Sequence, residues 1–266
     1  MQPIKVYNGP HGQGPNPWKV FIVLEELGLP YDIVWIPYRE IKFEPYTNLN
    51  PNGRLPTMID PNKNVTLWES GAIINYIIAT YDTELKLTYR DDRLEDKWLL
   101  QSWLMFQMSA QGPMFGQKMW FTHLHIEQNL QTAIDRYGNE VKRIIGVLND
   151  ALGKQRKKKL SLSTTTDDDP VWLVGDKCTY ADLAFAPWNT LLGTLFPGGT
   201  LDIKTEFPEF HRWSSNVARR PATRKVLEYR EECIRTMKDT GEQVVERQAD
   251  AAKMPTYEPS IGVGDS

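Results

Sequence analysis

Two short clusters carry the residues best suited to chemistry. Asn50-Pro51-Asn52-Gly53-Arg54-Leu55-Pro56 leads into a strand, and Glu69-Ser70-Gly71-Ala72-Ile73 opens an apolar helix soon after. A proline at the start of a strand pushes the preceding residue, Leu55, into an extended conformation and confines Pro56 to a strand end or an edge, in trans or in cis. An edge left unpaired there offers its main chain to a ligand backbone. At the second cluster an acid and a hydroxyl stand at a helix N-terminus, where free N–H groups and the dipole favour a ligand carboxylate while Glu69 suits an ammonium. The pair fits a small zwitterionic peptide. Glu69 and Ser70 also fit plain capping of the helix; the proline motif upstream tips the balance towards a ligand.

These two clusters resemble the glutathione-binding half of the glutathione transferases. There a cis-proline serves the cysteinyl backbone and Glu-Ser the γ-glutamyl head. Gly14-Pro15-Asn16-Pro17-Trp18-Lys19-Val20, and the stretch from Phe106 through Gln111-Gly112-Pro113 to Gln117, are similar to the fungal class typified by the yeast nitrogen-catabolite regulator. The resemblance runs over residues 4 to 235. It implies the glutathione transferase fold, an α/β thioredoxin-like N-terminal domain plus an all-α C-terminal helical domain. It also implies glutathione as co-substrate or catalyst, and a homodimer. The function it points to is activation of the glutathione thiol for attack on a small, apolar electrophile. Glutathione-dependent isomerisation in fungal natural-product biosynthesis is an alternative, as are disulfide reduction and a non-catalytic regulatory role. The regulator carries a long polar N-terminal extension, and this chain starts its first strand almost at once, which weighs against the last reading.

On that basis glutathione is expected to lie among Asn16, Lys42, Arg54, Leu55, Pro56, Glu69 and Ser70. Glu69 meets the ammonium, Ser70 the γ-glutamyl carboxylate, the Leu55 backbone the cysteinyl unit ahead of Pro56, and Lys42 the glycyl carboxylate. Arg54 matches a basic position of the family motif and is equally a surface cation beside the Asn52-Gly53 turn. No tyrosine, serine or cysteine opens the first helix. The resemblance makes Asn16 the expected catalytic donor, its carbonyl capping the helix and its NH2 donating to sulfur. As residue chemistry alone, Asn16 is an ordinary N-cap before a first-turn proline; in the fungal class an asparagine here lies by the sulfur. Tyr7 is a weaker candidate. Met114, Phe115, Trp120, Phe121 and His123 suit an adaptable apolar pocket for the second substrate, and suit interdomain or dimer packing equally well. His123 and His125 lack further ligands at metal-binding spacing, so no metal site is expected.

The elements that must position these residues follow from pattern. Ile4 to Tyr7 reads as a buried strand, Asn16 to about Leu27 as a helix stopped by Gly28, and Tyr31 to Ile36 as a second strand. Phe43 to Leu49 reads as a short irregular helix, and Thr57–Asp60 with Val65–Trp68 as a hairpin. From Asp91 onward apolar residues such as Leu94, Trp98, Ile134, Val141 and Leu148 recur at helical spacing. The change of class sets domains at 1–84 and 90–240, with a polar tail at 241–266. Residues 154–170, with a basic run, a Ser/Thr run and three aspartates, read as an exposed loop. Thr179-Tyr180-Ala181-Asp182 has capping-box form, which makes Asp182 a folding residue.

Composition bounds the rest. The 266 residues are 41% apolar with a net charge of -3, enough for a sizeable core and without a basic field for nucleic acid or anionic membrane. Two cysteines without metal-ligand spacing, no apolar signal segment and no run of about 18 apolar residues point to a soluble cytoplasmic protein with reduced thiols.

Overall fold

The computed structural model describes residues 1–127, 130–161, 166 and 169–238; the expected tail at 241–266 lies outside them. The first half holds β1 (Ile4–Asn8), α1 (Pro15–Leu27), β2 (Tyr31–Trp35), a 3-10 turn (Glu40–Lys42), α2 (Tyr46–Leu49), β3 (Thr57–Asp60), β4 (Val65–Trp68) and α3 (Ser70–Tyr81). The strands form one mixed sheet in the order β2-β1-β3-β4. β1 runs parallel to β2, with Ile4 opposite Tyr31, and antiparallel to β3, with Val6 opposite Met58; β3 and β4 form the expected hairpin. Pro56 thus stands at the end of an inner strand rather than on a sheet edge, so what a ligand can meet there is the main chain of Leu55 before the strand begins.

α1 is buried almost all round: Trp18, Val20, Phe21, Ile22, Val23 and Leu24 are inaccessible, because this helix contacts both α3 and three helices of the second half, which begin at Tyr180, Ala186 and Pro221. A helix whose middle is a continuous apolar run, Val20 to Leu24, is stable only in such a position. Gly28 ends it in the left-handed conformation, φ 66°, which glycine adopts without a Cβ penalty.

The remainder of the described chain is helical. α4 (Leu94–Phe106), a π-helical segment (Gln107–Gln111), α5 (Gly112–Met119) and a second π-helical segment (Trp120–Leu124) precede the long α6 (Gln131–Leu160). The one-turn helices α7 (Tyr180–Leu183), α8 (Ala186–Asn189), α9 (Leu192–Leu195) and α10 (Ile203–Glu206) follow, then α11 (Pro208–Arg219) and α12 (Pro221–Lys238). Thr179 and Asp182 form the capping box, and the fully buried Asp182 carboxylate also accepts from Leu173 N–H at 2.9 Å and Trp213 Nε1–H at 2.8 Å. Across the two halves Arg220 makes a bidentate pair with Glu26 at 2.6 and 2.7 Å.

The expectation of a loop from residue 154 is corrected over its first part, since α6 continues to Leu160. The buried face Leu148, Leu152, Arg156 carries on at i+4 spacing, with Arg156 paired to Glu209 at 2.6 Å. Lys157, Lys158 and Lys159 then occupy the last turn, where cations suit the helix dipole. Residues 162–165 and 167–168 of that expected loop lie outside the described residues.

Candidate functional site

A cleft of about 310 Å³ opens between the sheet half and the helices that follow it, lined by Asn16, Lys19, Asn50, Asn52, Arg54, Leu55, Pro56, Glu69, Ser70 and, across from them, Gln107, Met108, Pro113, Gly116 and Trp188. Six of the seven expected ligand residues therefore share one wall.

The turn that presents Arg54 and Leu55 is held by Asn50, a buried residue. Its side-chain NH2 donates to the Arg54 carbonyl at 2.7 Å and to Thr57 Oγ1 at 3.0 Å, while its Oδ1 accepts from Asn52 N–H at 3.0 Å. Tyr46 Oη adds a bond to the same Arg54 carbonyl at 2.7 Å. Gly53 is needed at this turn, because a Cβ there would meet the Ile41 carbonyl oxygen at 2.8 Å and φ is 57°.

Glu69 and Ser70 do not act as a simple cap. Glu69 precedes α3 with φ 65° and ψ 114° and makes no side-chain capping bond; its Oε1 accepts from Asn52 Nδ2 at 3.2 Å instead. A non-glycine residue in this region costs about 1–3 kcal/mol, strain that recurs where a side chain must be aimed at a site. Ser70 Oγ donates to Met108 Sδ at 3.3 Å.

Asn16 is placed differently from its expected role. The helix begins at Pro15, with Gly14 as the N-cap residue and no side-chain cap. Pro15 already has the φ of a first-turn residue, so Asn16 falls inside the first turn. Its Oδ1 accepts from Trp188 Nε1–H at 3.0 Å, which commits the carbonyl end and turns the NH2 end away from the indole. Pro15 and Pro17 carry no N–H, so among the first three helical residues only Asn16 offers a main-chain donor.

Lys42 does not line the cleft. Its Nζ donates to the Gly53 carbonyl at 2.7 Å, and burial, with the nearby Arg54 charge, lowers its pKa. The expected second-substrate residues are also placed elsewhere. Phe115 is fully buried, edge-on to Trp188 at 6.4 Å, and Met114 packs against the core. Phe121 stacks on Tyr137 at 5.6 Å and on His125 at 5.5 Å, Trp120 stands edge-on to His125, and His123 Nε2 bonds the Thr194 carbonyl at 2.7 Å. Phe115 is thus the one fully buried member, Phe121 reaches Tyr137 of α6, Trp120 and Phe121 are half-buried and His123 is exposed, and none of the five lines this cleft. Tyr7 stacks edge-on with Tyr46 away from the lining.

Lys19, Gln107 and Met108, known from sequence only as members of the family motifs, and Trp188 were not among the expected site residues. Lys19 is 1% exposed; its Nζ donates to Gln107 Oε1 at 2.7 Å and to Met108 Sδ at 3.3 Å. Burial lowers its pKa to about 7, with the Glu69 charge acting in the opposite direction. One signal could have found it, a lone lysine in the apolar run Trp18 to Leu24, three residues after Asn16 and so on the same helix face. Chemically the cleft offers an acid, a hydroxyl at a helix start, two cations, an amide donor and an extended main chain, a set that suits a small zwitterionic peptide.

The chain belongs to the glutathione S-transferase family. The family model of its N-terminal domain matches residues 14–80 and that of its C-terminal domain residues 113–221. Among its relatives, the glutathione S-transferase-like protein OpS6 of Beauveria bassiana is 42% identical over 85% of this chain and 95% of the relative. The transcriptional regulator URE2 of Saccharomyces cerevisiae is 37% identical over 85% of this chain and 69% of the relative. Among solved structures, the glutathione transferase URE2P6 of Phanerochaete chrysosporium, in complex with oxidized glutathione, superposes with a TM-score of 0.74 at 39% identity, covering 86% of this chain and 97% of that one.

Proposed function

We propose that the cleft binds glutathione and activates its thiol for attack on a small electrophile. The observation that carries this reading is the convergence of Asn16, Arg54, Leu55, Glu69 and Ser70 on one cavity, with Glu69 held in a strained backbone conformation that serves no cap. In this reading Glu69 binds the ammonium of the γ-glutamyl head, Ser70 its carboxylate and the Leu55 main chain the cysteinyl unit. The thiol then lies at the start of α1. A free thiol has a pKa of about 8.5, and lowering it by about 2 units makes thiolate the main form at neutral pH. The Asn16 NH2 and the helix end stabilise the sulfur anion, and the proton leaves to solvent. The electrophile would rest against Met108, Pro113, Gly116 and Trp188, the apolar wall that faces Asn16.

Conjugation and glutathione-dependent isomerisation use the same thiolate and differ in whether the adduct is released. The likeness to a transcriptional regulator supports a second reading, a glutathione-fold protein with little turnover. Calorimetric titration with glutathione, followed by product analysis with a dinitrobenzene-type electrophile, separates these. Binding with adduct formation is the expected result. Binding without turnover favours the regulator, and no binding overturns both readings.

A further inference from the structure

The cleft floor holds a cation that no step above uses. Lys19 is almost fully buried, and among the described residues no carboxylate lies within ion-pair distance of it. An ammonium in such a place is costly unless something compensates it. Part of the compensation is a chain of amides behind it. Lys19 Nζ donates to Gln107 Oε1, Gln107 Nε2 donates to Gln111 Oε1 at 3.1 Å, Gln111 Nε2 to Asn189 Oδ1 at 2.8 Å, and Asn189 Nδ2 to Ser214 Oγ at 3.1 Å. Every carbonyl end in the chain faces the lysine, so the dipoles add in favour of the positive charge and fix where Nζ sits. Gln107 and Gln111 lie in the π-helical segment, a local irregularity found often at functional sites.

On the cleft side the partner is a poor one. Lys19 Nζ and Ser70 Oγ both donate to the same atom, Met108 Sδ, each at 3.3 Å, and a thioether sulfur is a weak acceptor. Two strong donors converging on one weak acceptor, beside Glu69 and at the start of α3, mark a position that suits an anion better than sulfur. We propose that Lys19 is a ligand-binding residue whose ammonium, together with Ser70, holds the α-carboxylate of a γ-glutamyl ligand after Met108 withdraws, a proposal that rests on the glutathione reading of the cleft. Lys19 then serves the head of the ligand, and Asn16, one turn earlier on α1, serves the sulfur.

The test is calorimetric titration of wild type, Lys19→Met and Lys19→Gln with three peptides. They are glutathione, γ-aminobutyryl-Cys-Gly, which lacks the α-carboxylate, and glutaryl-Cys-Gly, which keeps that carboxylate and lacks the ammonium. A charge-assisted bond lost should weaken glutathione and glutaryl-Cys-Gly about ten- to hundredfold in Lys19→Met while leaving γ-aminobutyryl-Cys-Gly unchanged. Lys19→Gln keeps a donor for Gln107, and so supplies the same comparison if the methionine variant does not fold. Equal losses for all three peptides would make Lys19 structural, and a raised thiol pKa with unchanged affinity would assign it to the sulfur; either result overturns the proposal. Failure of wild type to bind glutathione overturns the reading of the cleft itself, and is distinct from binding that is indifferent to Lys19.

Discussion

The bond from Trp188 to Asn16 gives the sharpest test of how the thiol is activated. Trp188→Phe keeps an aromatic ring next to Phe115, removes the indole N–H that now reaches Asn16 Oδ1 at 3.0 Å, and frees some of the space that the indole fills beside Gly112 and Gly116. That bond is worth about 0.5–1.5 kcal/mol. In wild type a flipped amide would lose it and also set NH2 against the indole N–H, so the NH2 stays on the cleft side. Without the indole donor both orientations become accessible, and the stabilisation of the thiolate falls by up to the same amount. At 1.36 kcal/mol per unit, the thiol pKa of bound glutathione should rise by about 0.4 to 1 unit, and turnover at neutral pH should fall about two- to tenfold. Ultraviolet titration of the bound thiolate measures the shift, with the affinity of S-methylglutathione, which has no thiol to ionise and leaves the electrophile wall largely unfilled, as the control that should not move. Asn16→Asp is the companion variant: it keeps an acceptor for Trp188 and places a negative charge beside the sulfur, which should raise the thiol pKa further. An unchanged pKa in Trp188→Phe alongside a raised one in Asn16→Asp would refute the orienting role. An unchanged pKa in both would remove Asn16 from the mechanism and leave the helix end.

Glu69→Ala should weaken glutathione binding about ten- to hundredfold by calorimetry, whereas Glu69→Gly should weaken it equally and yet raise the melting temperature, because glycine relieves the positive φ at this position. Asp182→Asn should destabilise the chain by about 1–3 kcal/mol or more in urea unfolding, since an amide facing Thr179 leaves at least one buried donor without an acceptor; a loss below about 0.5 kcal/mol would contradict that role. Leu94, Trp98 and Met105 lie 62%, 66% and 47% exposed on α4, an apolar face that fits a second copy of the chain, so light scattering should return the mass of a dimer. A monomer across micromolar concentrations would reject it.

Local pattern carried much of the first half of the fold. Strand alternation at Ile4 and Val6, the hairpin from Thr57 to Trp68 and the Thr179–Asp182 capping box are written in neighbouring residues, and each forms where its side chains require. Glu69-Ser70 and Leu55-Pro56 could be singled out for the same reason, since a helix start and a proline before a strand are properties of a few consecutive residues.

Neighbouring residues thus carry the class of the fold and one wall of the cleft, the wall built from local turns and helix ends. The tertiary structure alone decided which wall faces it. Trp188 stands 172 positions from Asn16 and Gln107 88 positions from Lys19, and no periodicity links such pairs. Only the packing of α1 between the sheet half and the helices converts Asn16 from a cap into an oriented amide. The same packing converts Lys19 from one lysine in an apolar run into a buried charge with a chain of dipoles behind it. The aromatic stretch from Met114 to His123 fits the cleft and interior packing equally well as sequence, for the converse reason. Residue type tells that a side chain prefers to leave water, but which neighbour receives it depends on long-range packing, and here Trp188 received Phe115 and α6 received Phe121.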